Sequence, residues 1–208
     1  MNETDFFYQA AECAEDIRGS KCVINSNDYN LADVLRQKNY VFVDRTIKAS
    51  IPLKESTDFS KLCRLKIEES APDDRIKKLA AENFIEDVRF FASIPPKFDK
   101  ELFADYFSQV KICYICQVKN DIAGFIEIVE TADKSNGKVG MIRLAAVDSN
   151  YRLAGAALSL YAGAADLYRQ KNFRRLEGRI SCKNMPVLNL YASLGAVFSV
   201  PLDIYIRS

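Results

Sequence analysis

The sequence predicts a mixed α/β fold in which a mainly antiparallel central sheet is flanked by helices. Three apolar segments, at 110–118, 123–130 and 138–147, follow one another with short polar turns between them, as in an antiparallel meander. A helical pattern from about 155 to 169 then leads to a strand at 175–181, so this strand should lie parallel to its predecessor. The predicted sheet therefore changes from antiparallel to parallel just before the helix.

The segments before the meander predict further elements in order. Residues 21–25, 29–38 and 40–44 indicate a strand, a helix and a strand, with another short strand near 47–53. An alternating stretch at 63–68 indicates a strand, and two helices follow at about 74–82 and 100–108. Residues 1–58 are too few for an independent core, so we expect a small N-terminal α/β region packed on a main domain of residues 59–208.

The last helix is predicted from its ends and its apolar spacing. Asn184 and Pro186 open it, and Gly195 fits its C-terminal cap. Apolar residues recur along one face at i, i+3, i+4 and i+7: Val187, Leu190, Tyr191 and Leu194. Final strands are expected at 196–198 and 202–206.

Composition excludes several classes of function. The 208 residues are 49% apolar and 27% charged, which is ordinary for a globular protein, and the net charge of +1 gives no electrostatic support for a nucleic-acid partner. The chain contains no histidine, which rules out a Ser-His-Asp triad, a histidine zinc site and an imidazole base. No signal-peptide pattern or membrane-length apolar run is present, so we expect a cytoplasmic protein with no membrane contact.

Cys113 and Cys116 have the spacing of a metal or redox pair, but they fall within a predicted strand. Residues three apart on a strand point to opposite faces, so their sulfur atoms should not converge. We therefore predict no metal site.

One stretch, 144–157, has the pattern of a phosphate-binding turn. A buried strand leads through a short turn into Arg152-x-x-Gly155-x-Ala157, which opens a helix. A helix that begins there presents free N–H groups and the positive end of its dipole, and small residues let a phosphate approach the backbone.

This element order and two motifs resemble the GNAT superfamily of acyl-CoA-dependent N-acyltransferases. The stretch at 152–157 matches the Arg/Gln-x-x-Gly-x-Gly/Ala diphosphate loop, and 184–195 matches the Asn-(six residues)-Tyr-x-x-x-Gly helix of that superfamily. Segments at 83–90, 96–98 and 28–44 look like those of TDP-fucosamine acetyltransferase-like sugar N-acetyltransferases. The resemblance thus implies a GNAT-like mixed sheet with acetyl-CoA as acyl donor.

The resemblance also implies roles for individual residues. Backbone groups of the strand would bind the pantetheine arm: Leu144, Ala145, Ala146 and Val147. N–H groups of the loop would bind the diphosphate: Arg152, Leu153, Ala154, Gly155, Ala156 and Ala157. The side-chain amide of Asn184 would contact the cofactor. Tyr191 would be the general acid that protonates the departing thiolate. The competing interpretation makes Tyr191 a core aromatic residue of an amphipathic helix.

The acceptor side is less defined. Arg89 and Phe90 are expected to bind the acceptor, Arg89 through a phosphate group, with a surface arginine as the alternative. The general base is open among four carboxylates on or beside central strands: Glu127, Glu130, Asp148 and Glu177.

The leading hypothesis is an N-acetyltransferase that acts on a primary amine of a nucleotide-linked amino sugar by direct attack. The alternatives are a GNAT enzyme for another small amine or a protein amine, and a non-catalytic acyl-CoA sensor, which the glycine-poor loop suggests. The partners expected are a small-molecule acceptor and, as an open alternative to a monomer, a second copy in a homodimer.

Overall fold

A computed structural model describes residues 14–15, 21–91, 95, 97–132, 137–199 and 201–208. The strands of this part of the chain are β1 (Ala14–Glu15), β2 (Lys21–Asn25), β3 (Tyr40–Pro52), β4 (Ile67–Ser70), β5 (Cys113–Val118), β6 (Asp121–Ala132), β7 (Lys138–Val147), β8 (Arg175–Ser181), β9 (Val197–Phe198) and β10 (Leu202–Arg207). The α-helices are α1 (Tyr29–Gln37), α2 (Asp74–Asn83), α3 (Lys100–Phe107), α4 (Ala156–Gln170) and α5 (Met185–Ser193). Short 3₁₀ helices lie at Ser60–Leu62, Val88–Phe90 and Ser149–Ala154.

The strands form one sheet in the order β1-β2-β10-β3-β8-β7-β6-β5-β4, and β9 pairs with β3 beside this path. Strands β5 to β7 form the predicted antiparallel meander, and β4 pairs antiparallel with β5 at its edge. Strand β8 follows α4 and pairs with β7 in parallel, because a helical crossover returns the chain in the same direction. The predicted mixed α/β fold, with its change from antiparallel to parallel, is confirmed.

Two local predictions need correction. The two short strands expected at 40–44 and 47–53 are one strand, β3, because its first half pairs with β10 and its second half pairs with β8. The strand expected at 63–68 begins only at Ile67, where pairing with β5 starts. Strand β3 lies inside the common sheet, and the division of the chain at residue 58 stays a prediction.

The two faces of the sheet carry separate cores. Helix α4 covers one face, where Leu160 packs with Ile126 and Leu176. Helices α2 and α3 cover the other, where Phe103 packs with Phe125. No helix in the described part of the chain has both the length and the apolar character needed to cross a membrane.

The alternation along β5 separates the two cysteines as expected. Cys113 is buried in the core under α2 and α3, whereas Cys116 is buried in the core under α4. Burial raises the pKa of Cys113 to about 12 and that of Cys116 to about 11. Both thiols are therefore protonated at neutral pH, and the prediction that they point to opposite faces is confirmed.

The contact of α4 with the sheet depends on Gly124 in β6. A methyl group at this position would lie 2.8 Å from the Ala146 carbonyl oxygen and 2.8 Å from Leu160 Cδ1. We expect Gly124→Ala to lower the free energy of unfolding by about 1–3 kcal/mol, because the Ala146 carbonyl is part of the sheet backbone and cannot move away from the new methyl group without distorting the strand. Urea unfolding measures this, with Gly163→Ala as the control.

The control position lies within α4, where a new methyl group would meet only the flexible side chain of Ile67 at 3.0–3.2 Å. Alanine is also the better helix former by about 1 kcal/mol. An equal loss in both variants would contradict the packing assigned to Gly124.

Candidate active site

A gap opens in the sheet where β7 and β8 part. Their parallel pairing runs from Val139 with Arg175 to Ile142 with Gly178. Beyond this last pair, β7 continues against β6 only, and β8 continues against β3 only. Backbone groups of β7 at 143–147 that point away from β6 therefore have no strand partner among the described residues.

A bulge in β7 coincides with the start of the gap. Glu127 of β6 pairs with Leu144, and the next residue, Ile128, pairs with Ile142, so Arg143 is an extra residue in β7. Such a bulge bends its strand and increases the local twist. It accounts for the departure of β7 from β8 at this point.

The N-terminus of α4 follows β7 after one 3₁₀ helix. Gly155 is its N-cap and has no side chain that could cap the helix. Its φ of 76° is in the left-handed region, which glycine adopts at little cost. The Asp148 side chain accepts a hydrogen bond of 2.8 Å from Asn150 N and so fixes the preceding 3₁₀ helix. Free N–H groups at such a helix end suit a diphosphate.

The remaining loop residues predicted to hold the diphosphate have mixed surroundings. Arg152 is exposed, and its Nη2 donates to Asn83 Oδ1 at 3.4 Å. Ala156 is fully buried, and Ala157 is half-buried. Two further predicted contacts have side chains outside the described residues: Leu153 and Ala154.

A second arginine, Arg64, lies beside this helix end and was not anticipated. Its Cδ would be 3.5 Å from a methyl group placed at Gly155. The backbone N–H groups of Arg64 and Leu65 both donate to the buried Ser159 Oγ at 3.1 Å, which ties the segment to α4. The contact joins distant parts of the chain, so no local sequence signal could have revealed it.

Tyr191 in α5 reaches the point where the gap begins. It is 1% exposed, and Gly178, in the last pair of β7 and β8, lies directly against its hydroxyl group. The Tyr161 ring packs against the Tyr191 ring at 5.2 Å between centroids and 71°. Burial raises the pKa of Tyr161 to about 12, although its hydrogen bond with Tyr191 opposes the rise.

Asn184, predicted to contact the cofactor, has a structural task as well. It is exposed at the N-cap of α5, where its Oδ1 accepts a hydrogen bond of 3.3 Å from Val187 N. The helix that carries Tyr191 thus begins at this capping contact.

On the opposite face of the gap, Glu127 lies in a buried polar cluster. It is 2% exposed, and its Oε2 lies 3.5 Å from Arg143 Nε. Burial raises its pKa, although the charges of Arg143 and Arg89 partly oppose this. Tyr106 Oη accepts hydrogen bonds from Arg143 Nε at 3.3 Å and from Arg89 Nη1 at 3.5 Å. A buried carboxylate with a raised pKa is suited to accept a proton.

The other three candidate bases have different partners. Glu130 forms an exposed ion pair with Lys138 at 3.3 Å, and Asp148 caps the 3₁₀ helix described above. For Glu177, burial alone would raise the pKa, but the hydrogen bond from Arg175 and the charge of Lys48 lower it overall. A lowered pKa makes this carboxylate a weak base.

The two residues expected to bind the acceptor are packed against protein. Phe90 is fully buried, with edge-to-face contacts to four rings: Phe84, Phe98, Phe103 and Tyr106. This placement does not support an acceptor contact for its side chain. The Arg89 side chain is 11% exposed and ion-paired with Asp87 at 2.7 Å, so it is not the surface arginine of the alternative interpretation.

Comparisons with known proteins agree with this geometry. The profile of the acetyltransferase (GNAT) family matches residues 76–196, which is more than half of the chain. No functionally curated protein matches the sequence.

Solved structures share the fold at low sequence identity. A functionally unknown conserved protein from Staphylococcus epidermidis has a TM-score of 0.59 and 13% identity over 91% of this chain and 73% of that one. A GCN5-related N-acetyltransferase from Sphaerobacter thermophilus has a TM-score of 0.57 and 14% identity, over 89% of this chain and 59% of that one. A GCN5-related N-acetyltransferase from Anabaena variabilis has a TM-score of 0.58 and 13% identity, over 99% of this chain and 48% of that one. The chain thus spans 59% and 48% of these two enzymes.

The contact between Gly178 and Tyr191 can be tested by a double-mutant cycle. A methyl group at Gly178 would overlap with the Tyr191 hydroxyl, so we expect Gly178→Ala to destabilise the protein by about 1–3 kcal/mol. In the Tyr191→Phe background, the atom nearest to the new methyl group at Gly178 would be Cζ of the ring, at 3.1 Å, so Gly178→Ala should destabilise this protein less. Urea unfolding of the four proteins gives the coupling, and additive costs would place the hydroxyl elsewhere.

Proposed function

Because the chain belongs to the GNAT family and is an acyl-CoA-dependent N-acyltransferase, we propose that it moves an acetyl group from acetyl-CoA to a small-molecule primary amine. The acceptor that we favour is a nucleotide-linked amino sugar, because the segments 83–90 and 28–44 resemble those of sugar N-acetyltransferases. The observation that carries the proposal is the gap between β7 and β8, with the N-terminus of α4 at one side and Tyr191 at its start.

The residues present fit acetyl-CoA. The backbone of 144–147 offers hydrogen-bonding groups to the pantetheine arm in the manner of an added strand. The N–H groups at 152–157 hold the diphosphate at the start of α4, while Arg152 and Arg64 add positive charge. The Asn184 amide lies at the start of α5 and completes the set. When bound, acetyl-CoA supplies the thioester that the amine attacks.

The proton steps take place on opposite faces of the sheet. Glu127, on the face under α2 and α3, takes the proton of the attacking amine through a water molecule. Tyr191, on the face under α4, gives a proton to the departing thiolate. A phenol has a pKa of ~10 and a thiol ~8.5, so this second transfer relies on positioning. The Tyr161 ring packs edge-on against the Tyr191 ring and so helps to position it.

Thiol release from acetyl-CoA, measured across a panel of amines that includes nucleotide 4-amino sugars, tests the function. We expect turnover with at least one amine, and a loss of about 10²–10⁴-fold in kcat for Tyr191→Phe with CoA affinity unchanged. CoA binding without release for any amine would favour the sensor. Unchanged kcat in Tyr191→Phe would make this residue only a core aromatic.

The pH dependence of the reaction tests Glu127. A base acts in its ionised form, and burial raises this pKa above the usual 4.5. Activity should therefore fall as the pH is lowered through a value above 4.5. We expect Glu127→Gln to remove this acid limb and to lower kcat/KM by about 10²–10⁴-fold. Glu130→Gln, at an exposed ion pair, is the matched control. An acid limb that persists in Glu127→Gln would assign the base to another group.

A further inference from the structure

We propose that Arg89 is a positioning residue that holds the bulge of β7 in place and, through it, the gap between β7 and β8. The inference rests on the proposed function, because it concerns how the same gap binds CoA. It assigns Arg89 to neither of the two roles expected from the sequence, an acceptor ligand or a surface residue.

The guanidinium of Arg89 joins the segment after α2 to the bulge. Its Nη1 donates to the carbonyl oxygen of Arg143, the extra residue of β7, at 2.8 Å. Asp87 holds the other edge of the guanidinium, because its carboxylate accepts hydrogen bonds from Arg89 Nε at 3.0 and 3.1 Å and from Arg89 Nη2 at 2.7 Å. The backbone oxygen of Arg89 in turn accepts from the buried Lys21 Nζ at 2.9 Å, which ties the segment to β2.

Aromatic rings hold the same group in place. The Arg89 Cζ lies 5.4 Å from the centroids of Phe84 and Phe90 and 5.8 Å from that of Tyr106. A guanidinium with a rigid planar fork can satisfy a carboxylate and a carbonyl together, which a lysine cannot do with the same geometry. The donors of Arg89 are directed at protein atoms, and its charge is balanced by Asp87.

The bulge matters because register decides which atoms face the gap. The carbonyl of a bulge residue needs a hydrogen-bond partner, since an unsatisfied buried group costs free energy. Arg89 supplies that partner through Nη1, so the Arg143 carbonyl does not need a donor from β8. A one-residue slip of β7 would exchange the faces of its side chains, for example Leu144, and reorient the backbone groups that receive the pantetheine arm.

The two competing roles of Arg89 predict different kinetic effects. Loss of a positioning contact should weaken CoA binding and lower kcat while the KM for the amine stays the same. Loss of an acceptor ligand should raise the KM for the amine and leave CoA binding unchanged. A contribution to folding alone should lower the free energy of unfolding and change neither affinity in the folded protein.

The experiment compares Arg89→Met and Arg89→Lys with the wild type at a temperature well below the unfolding of each protein. Arg75→Met, at an exposed ion pair with Asp73, is the control. Calorimetric titration with CoA should show a dissociation constant raised by about tenfold in Arg89→Met and by less in Arg89→Lys. If Arg89→Met does not fold, Asp87→Asn should raise the constant in the same direction.

Three results would overturn the proposal. The first is an unchanged CoA affinity in all three site variants, and the second is a rise confined to the KM of the amine. The third is an absence of CoA binding in the wild type, which would overturn the proposed function itself, whereas the first two leave that function intact.

Discussion

The site depends on the place where the parallel pairing of β7 and β8 stops. Up to Ile142 and Gly178 the two strands satisfy one another, and beyond this pair each has a strand partner on one side only within the part of the chain that the structure describes. Backbone groups that would be costly to bury unpaired are thereby presented to a ligand. The start of α4 and the Tyr191 hydroxyl lie beside the same opening because their helices are the next α-helices after these two strands.

The opening also divides the chemistry between two environments. On one side, aromatic and aliphatic residues surround Tyr191, and no charge is needed there before a thiolate forms. On the other side, Glu127 and two arginines share a buried polar cluster in which charges are already arranged. Groups that are fixed before the reaction lose little free energy to reorganisation during it. The sheet keeps the two environments apart, and in the proposed reaction a substrate would reach both through the gap.

Much of the fold could be predicted from local signals. Periodicity and capping residues define α4 and α5, and strand β8 was predicted with the bounds observed, because such patterns are short-range. The single strand β3 could not be predicted, because its continuity depends on pairing with two strands far along the chain. The same holds for Arg64 beside Gly155 and for Arg89 on the bulge, where tertiary contacts decide the role of each side chain.

The position of β3 has a consequence for folding. Asp44 hydrogen-bonds to Ser181, 137 positions away, and Arg45 to Asp203, 158 positions away, so the middle of the sheet joins remote parts of the chain. Such contacts must overcome a large loop-closure entropy, and proteins dominated by them fold slowly. A nascent chain that ends before β8 and β10 leaves both edges of β3 without these partners, so the apolar residues of this strand stay exposed to aggregation until those two strands have been synthesised.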